Sequence, residues 1–245
     1  MKRALFLSDV HVPFHDSRAL DLALQIGEDV DEVILLGDFA DMYGVSSHGR
    51  SPDIVETIED EIFAVKKVLK HIQNAIPNAK RVFIEGNHCH RLKRYIANHA
   101  PELHTFISIA GLFDLESMGY EFVPYGPYQK YNVLGMEDLI ARHEPLSGGV
   151  HVAHNTAVKA GTSVIFGHVH RQQISNVVLM DGKLATGISV PTLCDIKHPV
   201  MSYVKNFHQW QQGSAIVTQV DGEWFVDNLV FKDYKCIFDG HLFKA

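Results

Sequence analysis

The stretch Val-Ile-Phe-Gly-His-Val-His-Arg, residues 164–171, sets His168 and His170 one residue apart at the end of an apolar run. Similar polar residues recur along the chain: Asp9-Val10-His11, Gly37-Asp38, Gly86-Asn87-His88 and His143. Imidazole, carboxylate and amide oxygen form a mixed nitrogen and oxygen donor set, the kind that borderline divalent cations accept, and no thiolate belongs to it. Each fragment is common by itself, and two histidines at a strand end are ordinarily surface residues. The ordered series, with enough donors for two ions and a carboxylate to bridge them, is the informative feature.

These residues need elements that bring them together. Residues 3–7, 33–36, 81–84 and 163–166 are short apolar runs that read as buried strands, and each leads directly into one of the fragments. In a strand, alternate side chains share a face, so His168 and His170 are expected to point the same way. Residues 17–26 read as a helix closed by Gly27. Ser51-Pro52 has the form of an N-cap followed by proline at the first helical position, opening a long helix through Ile54, Ile58, Ile62, Val65, Leu69 and Ile72. Strand, helix, strand, helix, strand describes a parallel sheet with crossover helices. Ligands in such sheets bind beyond the carboxyl ends of the strands, where the fragments would converge.

Further along, residues 91–98, 102–109 and 155–159 read as helices, and 119–133 as loop or short strands. Residues 139–141 form an apolar segment leading to His143. From residue 163 the pattern turns to strands at 163–166, 174–180, 184–186, 215–220 and 224–230, with turns at Asp181-Gly182 and Asp221-Gly222. No repeat, low-complexity tract or linker interrupts the chain, so one domain over residues 1–245 is expected.

The chain has 245 residues, enough to bury about 70–75% of the surface that it exposes when unfolded. Its net charge of −7 argues against wrapping nucleic acid without regard to sequence, which needs many basic residues. Sixteen histidines in a mildly acidic chain raise the expectation of a metal site. Cys89, Cys194 and Cys236 form no CxxC pair, and the first apolar run is too short for a signal peptide, so a reducing cytoplasm is the expected compartment. No apolar run approaches membrane-spanning length, and no membrane partner is expected.

Asp9-Val10-His11, Gly37-Asp38, Gly86-Asn87-His88, His143 and Gly167-His168-Val169-His170 together resemble the motifs of the calcineurin-like metallophosphoesterases, over roughly residues 5–171. A looser likeness to small bacterial and bacteriophage members continues through 187–213, with Cys194-Asp195, Tyr203 and Trp210. The resemblance implies an α/β fold, a two-sheet β-sandwich flanked by helices in the order α/β/β/α, with the metal site at the carboxyl ends of strands. It implies two divalent cations, Mn²⁺ first among Mn²⁺, Zn²⁺, Fe and Ni²⁺. Asp9, His11 and His170 would hold one, Asn87, His143 and His168 the other, and Asp38 would bridge them. His88 would donate a proton to the leaving oxygen or stabilise the phosphate, and Asp41 would orient it. The implied reaction is hydrolysis of a phosphate ester by a hydroxide held between the metals, with a phosphodiester of nucleotide or nucleic-acid type favoured.

The chain departs from the family pattern in two places. Glu144-Pro145 follows His143 where glycine is usual, and Cys89-His90-Arg91 follows His88 where acidic residues are common in phage-type members. Cys89 reads as a buried structural thiol. His90 and Arg91 are candidates for contact with a substrate phosphate, with Arg91 on a solvated helix face beside Lys93 and Arg94 as the alternative. Asp41-Met42-Tyr43 stands where protein Ser/Thr phosphatases of the superfamily carry Asp-Arg-Gly, which counts against that class. A broad phosphomonoesterase and a catalytically silent binding scaffold remain as alternatives. Such scaffolds typically lose the catalytic histidine or several ligands, and this chain retains them. A metallo-β-lactamase-like hydrolase would need an HxHxDH run, which is absent. Oligomeric state is left open.

Overall fold

The computed structural model describes residues 1–47, 57–203 and 209–245. It contains β1 (Lys2–Leu7), α1 (Ser17–Ile26), β2 (Glu32–Leu36), α2 (Ile58–Ala75), β3 (Lys80–Ile84), α3 (Arg91–His99), α4 (Ile109–Leu112), β4 (Tyr120–Val123), β5 (Tyr131–Asn132) and β6 (Leu139–Arg142). The second half adds α5 (Val152–Ala160), β7 (Ser163–Phe166), β8 (Gln173–Val178), β9 (Leu184–Ser189), β10 (Gly213–Val220), β11 (Glu223–Val230), β12 (Lys235–Phe238) and β13 (His241–Lys244). The strands form a six-stranded sheet ordered β11-β10-β1-β2-β3-β4, a five-stranded sheet ordered β5-β6-β7-β9-β8, and a two-stranded hairpin, β12-β13.

The apolar runs divide by the period of two. Ala4, Phe6, Ile34, Leu36, Val82 and Ile84 turn to one side of the first sheet and pack on Leu139, Ala141, Ile165 and Ile188 of the second. Leu5, Leu7, Val33, Leu35 and Phe83 turn to the other side, under Leu20, Val65, Leu69, Leu92 and Ile109 of α1 to α4. On the outer face of the second sheet, α5 packs Val152, Ala153 and Ala157 on Val164, Phe166 and Ala185. The layers are therefore helix, sheet, sheet, helix, the expected α/β/β/α sandwich. β1 to β4 run parallel, as do β6, β7 and β9, so their carboxyl ends meet at one edge of the sandwich.

Several helix boundaries differ from the sequence reading; α5, for one, begins at Val152 rather than at residue 155. α2 starts at Ile58, capped by Thr57, which accepts from the Asp60 amide while the Asp60 carboxylate accepts from the Thr57 amide. Such a capping box satisfies two otherwise unpaired amides. The expected start at Ser51-Pro52, with Ile54, lies outside the described residues. The helix expected over 102–109 resolves into a 3-10 turn at Pro101–Leu103 and the short α4, capped by Ser108. Asp221-Gly222 joins β10 to β11 with both residues at positive φ, 51° and 89°, as a two-residue hairpin turn demands. Asp239-Gly240 does the same for β12-β13, a hairpin without a clear periodic signal in sequence. Among the described residues, no helix is long and apolar enough to cross a membrane.

Candidate metal centre

Each polar fragment leaves the carboxyl end of a parallel strand: Asp9 and His11 after β1, Asp38 after β2, Asn87 and His88 after β3, His143 after β6, and His168 and His170 after β7. Strand geometry does not carry through the last pair. β7 ends at Phe166, and His168 and His170 take positive φ values of 70° and 58°. Asp9, His11 and Asp38 are also left-handed, with φ of 50°, 53° and 44°. A non-glycine residue rarely adopts this region unless its surroundings require it. The turned backbone sends His168 and His170 to different clusters rather than along one face.

In the first cluster, Asp9, His11 and His170 bring one ligand atom each within 4.8 Å of the others. His170 Nε2 lies 3.1 Å from Asp9 Oδ1 and 3.4 Å from His11 Nε2. The second cluster unites Asp38, His143 and His168 on the same criterion. Asn87 joins it through Oδ1, 3.0 Å from His143 Nε2 and 2.9 Å from His168 Nδ1. Asp38 Oδ2 is 3.2 Å from His143 Nε2. Its other oxygen accepts from the His88 amide at 2.7 Å, so β2 and β3 are tied together at the centre. His143 is fully buried, and the Glu144-Pro145 that follows has not displaced it.

Charge explains why these groups fit cations. His143 donates from Nδ1 to the Leu36 carbonyl at 2.9 Å, which leaves Nε2 facing Asn87 Oδ1 and Asp38 Oδ2. Three electron-rich atoms so placed need a positive charge among them. Burial pushes the His143 imidazole down, but the Asp38 carboxylate outweighs it and raises the group to about 9. Burial likewise opposes protonation of His170, and the Asp9 charge overrides it, raising that imidazole to about 10. In each cluster a carboxylate thus favours positive charge on a neighbouring imidazole. Asp9 and Asp38 are buried, which disfavours their charge, yet His170 and His143 respectively hold both below the usual carboxylate range. Burial lowers His11, and desolvation together with the His143 charge lowers the more exposed His168, which favours the neutral forms that ligation requires.

A third group joins His11, Asp41 and His88. Asp41 Oδ2 accepts from His11 Nδ1 at 2.9 Å and from His88 Nδ1 at 3.1 Å. One carboxylate thus fixes the tautomer of a candidate ligand and of the candidate catalytic histidine. Arg91 is buried and bonds through Nη1 to Asp41 Oδ1 and the Asp41 carbonyl, both at 3.0 Å. The solvated-face reading of Arg91 is therefore corrected: the first turn of α3 points it into the site, while Lys93 and Arg94 remain exposed. His90 packs against Tyr125, the ring centroids 4.8 Å apart, with its Nδ1 3.7 Å from Glu85. Cys89 is fully buried, with its thiol donating to the Ala40 carbonyl, as a structural residue would.

The motif glycines interlock. A Cβ on Gly37 would lie 2.2 Å from His143 Nδ1, one on Gly86 2.1 Å from Asp38 Oδ1, and one on Gly167 2.7 Å from Asp9 Oδ2. Each glycine therefore makes room for a donor carried by a different motif.

Several supporting residues escape sequence reasoning. Gln129 accepts from the His143 amide at 2.9 Å and donates to the Glu85 carbonyl at 2.8 Å. Glu61, buried on α2, accepts from the backbone amides of Met42, Tyr43 and Gly44, just after Asp41. A lone glutamate within an amphipathic helix gives no sequence sign of this. A recess of about 370 Å³ opens beside the centre, lined by Asp38, His88, His168, Arg171, Gln209 and Trp210 among others.

A family model for calcineurin-like phosphoesterases matches residues 2–172. The gene 54 protein of Mycobacterium phage L5 is 29% identical over 247 residues, covering 94% of this chain and 93% of its own length. The gene 54 protein of Mycobacterium phage D29 is 28% identical over 263 residues, covering 100% and 99%. Among solved structures, a metallophosphoesterase from Sphaerobacter thermophilus aligns over 88% of this chain and 82% of its own, with 15% identity and a TM-score of 0.44.

Proposed function

The chain belongs to the calcineurin-like phosphoesterase family, and from that premise we propose that it is a two-metal phosphoesterase hydrolysing a phosphodiester of the nucleotide or nucleic-acid kind. The observation that supports this most is the pair of donor clusters, Asp9, His11 and His170 in one and Asp38, Asn87, His143 and His168 in the other. Asp9, His11 and His170 would hold one ion, and Asn87, His143 and His168 the other, with Asp38 between them. Mn²⁺ is our first choice for both, and the donors also suit Zn²⁺, Fe and Ni²⁺. When bound, two divalent cations neutralise charge on phosphoryl oxygens and make water acidic enough to attack as hydroxide near neutral pH.

The chain's own residues do the rest. Asp41 fixes the proton of His11 on Nδ1 and so presents Nε2 as a ligand. Asp41 also orients His88, whose Nε2 lies 3.9 Å from Asp38 Oδ2, over the centre. As seated, that nitrogen accepts from Arg91 Nη2 at 3.0 Å. His88 can protonate the leaving oxygen once Nε2 has gained a proton and the guanidinium has turned aside. The three free, buried cysteines support a reducing compartment, the cytoplasm.

The test is hydrolysis of 4-nitrophenyl phosphate and bis(4-nitrophenyl) phosphate side by side in Mn²⁺, by the wild type, Asp38→Asn and His88→Asn. Diester cleavage abolished by both substitutions is the expected result. A preference for the monoester would make the protein a phosphomonoesterase. No turnover of either ester, with two metals bound, would favour a binding scaffold.

A further inference from the structure

The recess beside the metal centre has a second wall that ester hydrolysis by itself does not require. Trp210 sits there half-buried, its ring centroid 4.0 Å from that of His170. Arg171 extends along the same wall. Its Nη1 donates to Gln209 Oε1 at 2.8 Å and its Nη2 to the Gly149 carbonyl at 3.1 Å. Both acceptors are neutral, and among the described residues no carboxylate lies within ion-pair distance of this guanidinium. Its Nε is buried and has no hydrogen-bond partner. A cation held in place by neutral groups keeps its charge available to an anion, and guanidinium suits phosphate oxygens. An indole offers a flat apolar surface on which any nucleobase can stack.

We propose that this recess seats one nucleoside of the substrate, with Trp210 as the platform for the base and Arg171 as the cation for its phosphate. The inference rests on the phosphoesterase reading and narrows it. A volume of about 370 Å³ lies at the small end of the range for ligand pockets, room for one nucleotide unit and too narrow for a stacked duplex. The substrate class is thus a mononucleotide ester or the unpaired end of a strand. A sugar phosphate without a base would leave the indole uncovered.

Trp210 and Trp224 are the chain's two tryptophans. Trp224 is on β11, bonded to Asp138, so Trp224→Phe leaves Trp210 as the sole indole fluorophore without touching the recess. Loaded with Zn²⁺, which does not quench as paramagnetic Mn²⁺ does, this variant is titrated with thymidine monophosphate, ribose 5-phosphate and inorganic phosphate. Saturable quenching by thymidine monophosphate is expected at concentrations at least ten-fold below those of the other two. Arg171→Gln in the same background should raise its half-saturation ten-fold or more. Absence of quenching by the nucleotide, or equal response to ribose 5-phosphate, would overturn the proposal.

This readout needs no turnover, so it stands apart from a failure of the hydrolysis assay. A turnover measurement adds to it through the kcat/KM ratio of thymidine 5′-(4-nitrophenyl phosphate) to methyl 4-nitrophenyl phosphate. The ratio should exceed ten in the wild type, survive in Trp210→Phe and collapse toward one in Trp210→Ala. Any general damage at His170 cancels in that ratio. An unchanged ratio in Trp210→Ala would count against the stacking role.

Discussion

Arg91 Nη2 donates to His88 Nε2 at 3.0 Å while Nη1 of the same guanidinium meets Asp41 Oδ1 at 3.0 Å. Asp41 Oδ2 receives the other nitrogen of His88. Asp41, His88 and Arg91 therefore close a ring of hydrogen bonds in which the imidazole has its proton on Nδ1 and accepts on Nε2. The ring is buried, so its parts are costly to remove singly.

Arg91→Met keeps the aliphatic stem and deletes the charge. Unfolding in urea should show a loss of about 3 kcal/mol, within the range for breaking a buried ion pair. In steady-state kinetics kcat should fall at least ten-fold with KM little changed, because the guanidinium holds Asp41, the carboxylate that orients His88. A raised KM with kcat preserved would instead make Arg91 a direct substrate contact.

Asp41 serves His11 and His88 together, so Asp41→Asn should damage binding and turnover at once. Loss of the partner that orients a ligating histidine typically weakens metal binding about 10–100-fold. Calorimetric titration with Mn²⁺ should show that loss at one of two sites, since His11 belongs to one cluster. Equal weakening at both sites would contradict the separate clusters.

Protons on His143 and His170 must leave before cations bind. Both groups are raised, from 6.5 to about 9 and about 10. The stability that these charged imidazoles give the metal-free fold is complete below pH 6.5 and is lost as pH climbs through about 9 and 10. Asp9 and Asp38 are depressed, so their contribution is present above pH 3.8 and disappears only in stronger acid. Metal affinity should therefore rise with pH up to about 10, most steeply below about 9 where both imidazoles are charged. Titration at pH 7 in buffers of different ionisation enthalpy should report about two protons released as both sites fill.

Glu61 behaves in the opposite sense to a paired carboxylate. Burial, with the Asp41 charge adding to it, pushes the group up from 4.5 to about 8 despite three backbone amides that favour its ionised form. The native state holds this proton more tightly than the unfolded chain, so stability falls as pH rises between these values. Glu61→Gln removes the titration. Its stability relative to the wild type should improve steadily from pH 5 to pH 8, read by urea unfolding, and a flat difference would reject the buried proton.

Gly86→Ala would place a methyl group 2.1 Å from both the amide nitrogen and a carboxylate oxygen of Asp38. Backbone cannot yield there as a flexible side-chain end could. Overpacking of this kind costs about 1–3 kcal/mol or more. Elemental analysis after dialysis should find fewer than two metal ions per chain.

Much of this site was legible because its chemistry lies at strand exits. The runs before Asp9, Asp38, Asn87 and His168 are apolar on both faces, and such strands must stop where polar residues begin. The direction of each side chain was less accessible. Alternation puts His168 and His170 on one face, whereas left-handed backbone at both, demanded by contacts with Asp9 and Asn87, separates them. Arg91 shows the same gap: spacing places it in the first helical turn, but only the docking of α3 decides between solvent and Asp41. The Thr57 cap of α2 escapes the sequence reading, although Asp60, three residues on, completes the reciprocal pair.

The interlocked glycines impose an order on how such a centre can change over generations. At Gly37 the space for a larger residue opens only after the His143 ring has gone. At Gly167 both Asp9 Oδ2 and Ser8 Oγ must give way, and at Gly86 the Asp38 amide nitrogen, 2.1 Å away, bars a side chain even when the carboxylate is lost. A lineage drifting away from metal binding would shed a donor first and fill the space behind it later. The return path is then closed, since a restored donor meets an occupied position until a second loop reverts with it. Transplanting one motif into a relative would fail for the same reason, and the loops travel as a set.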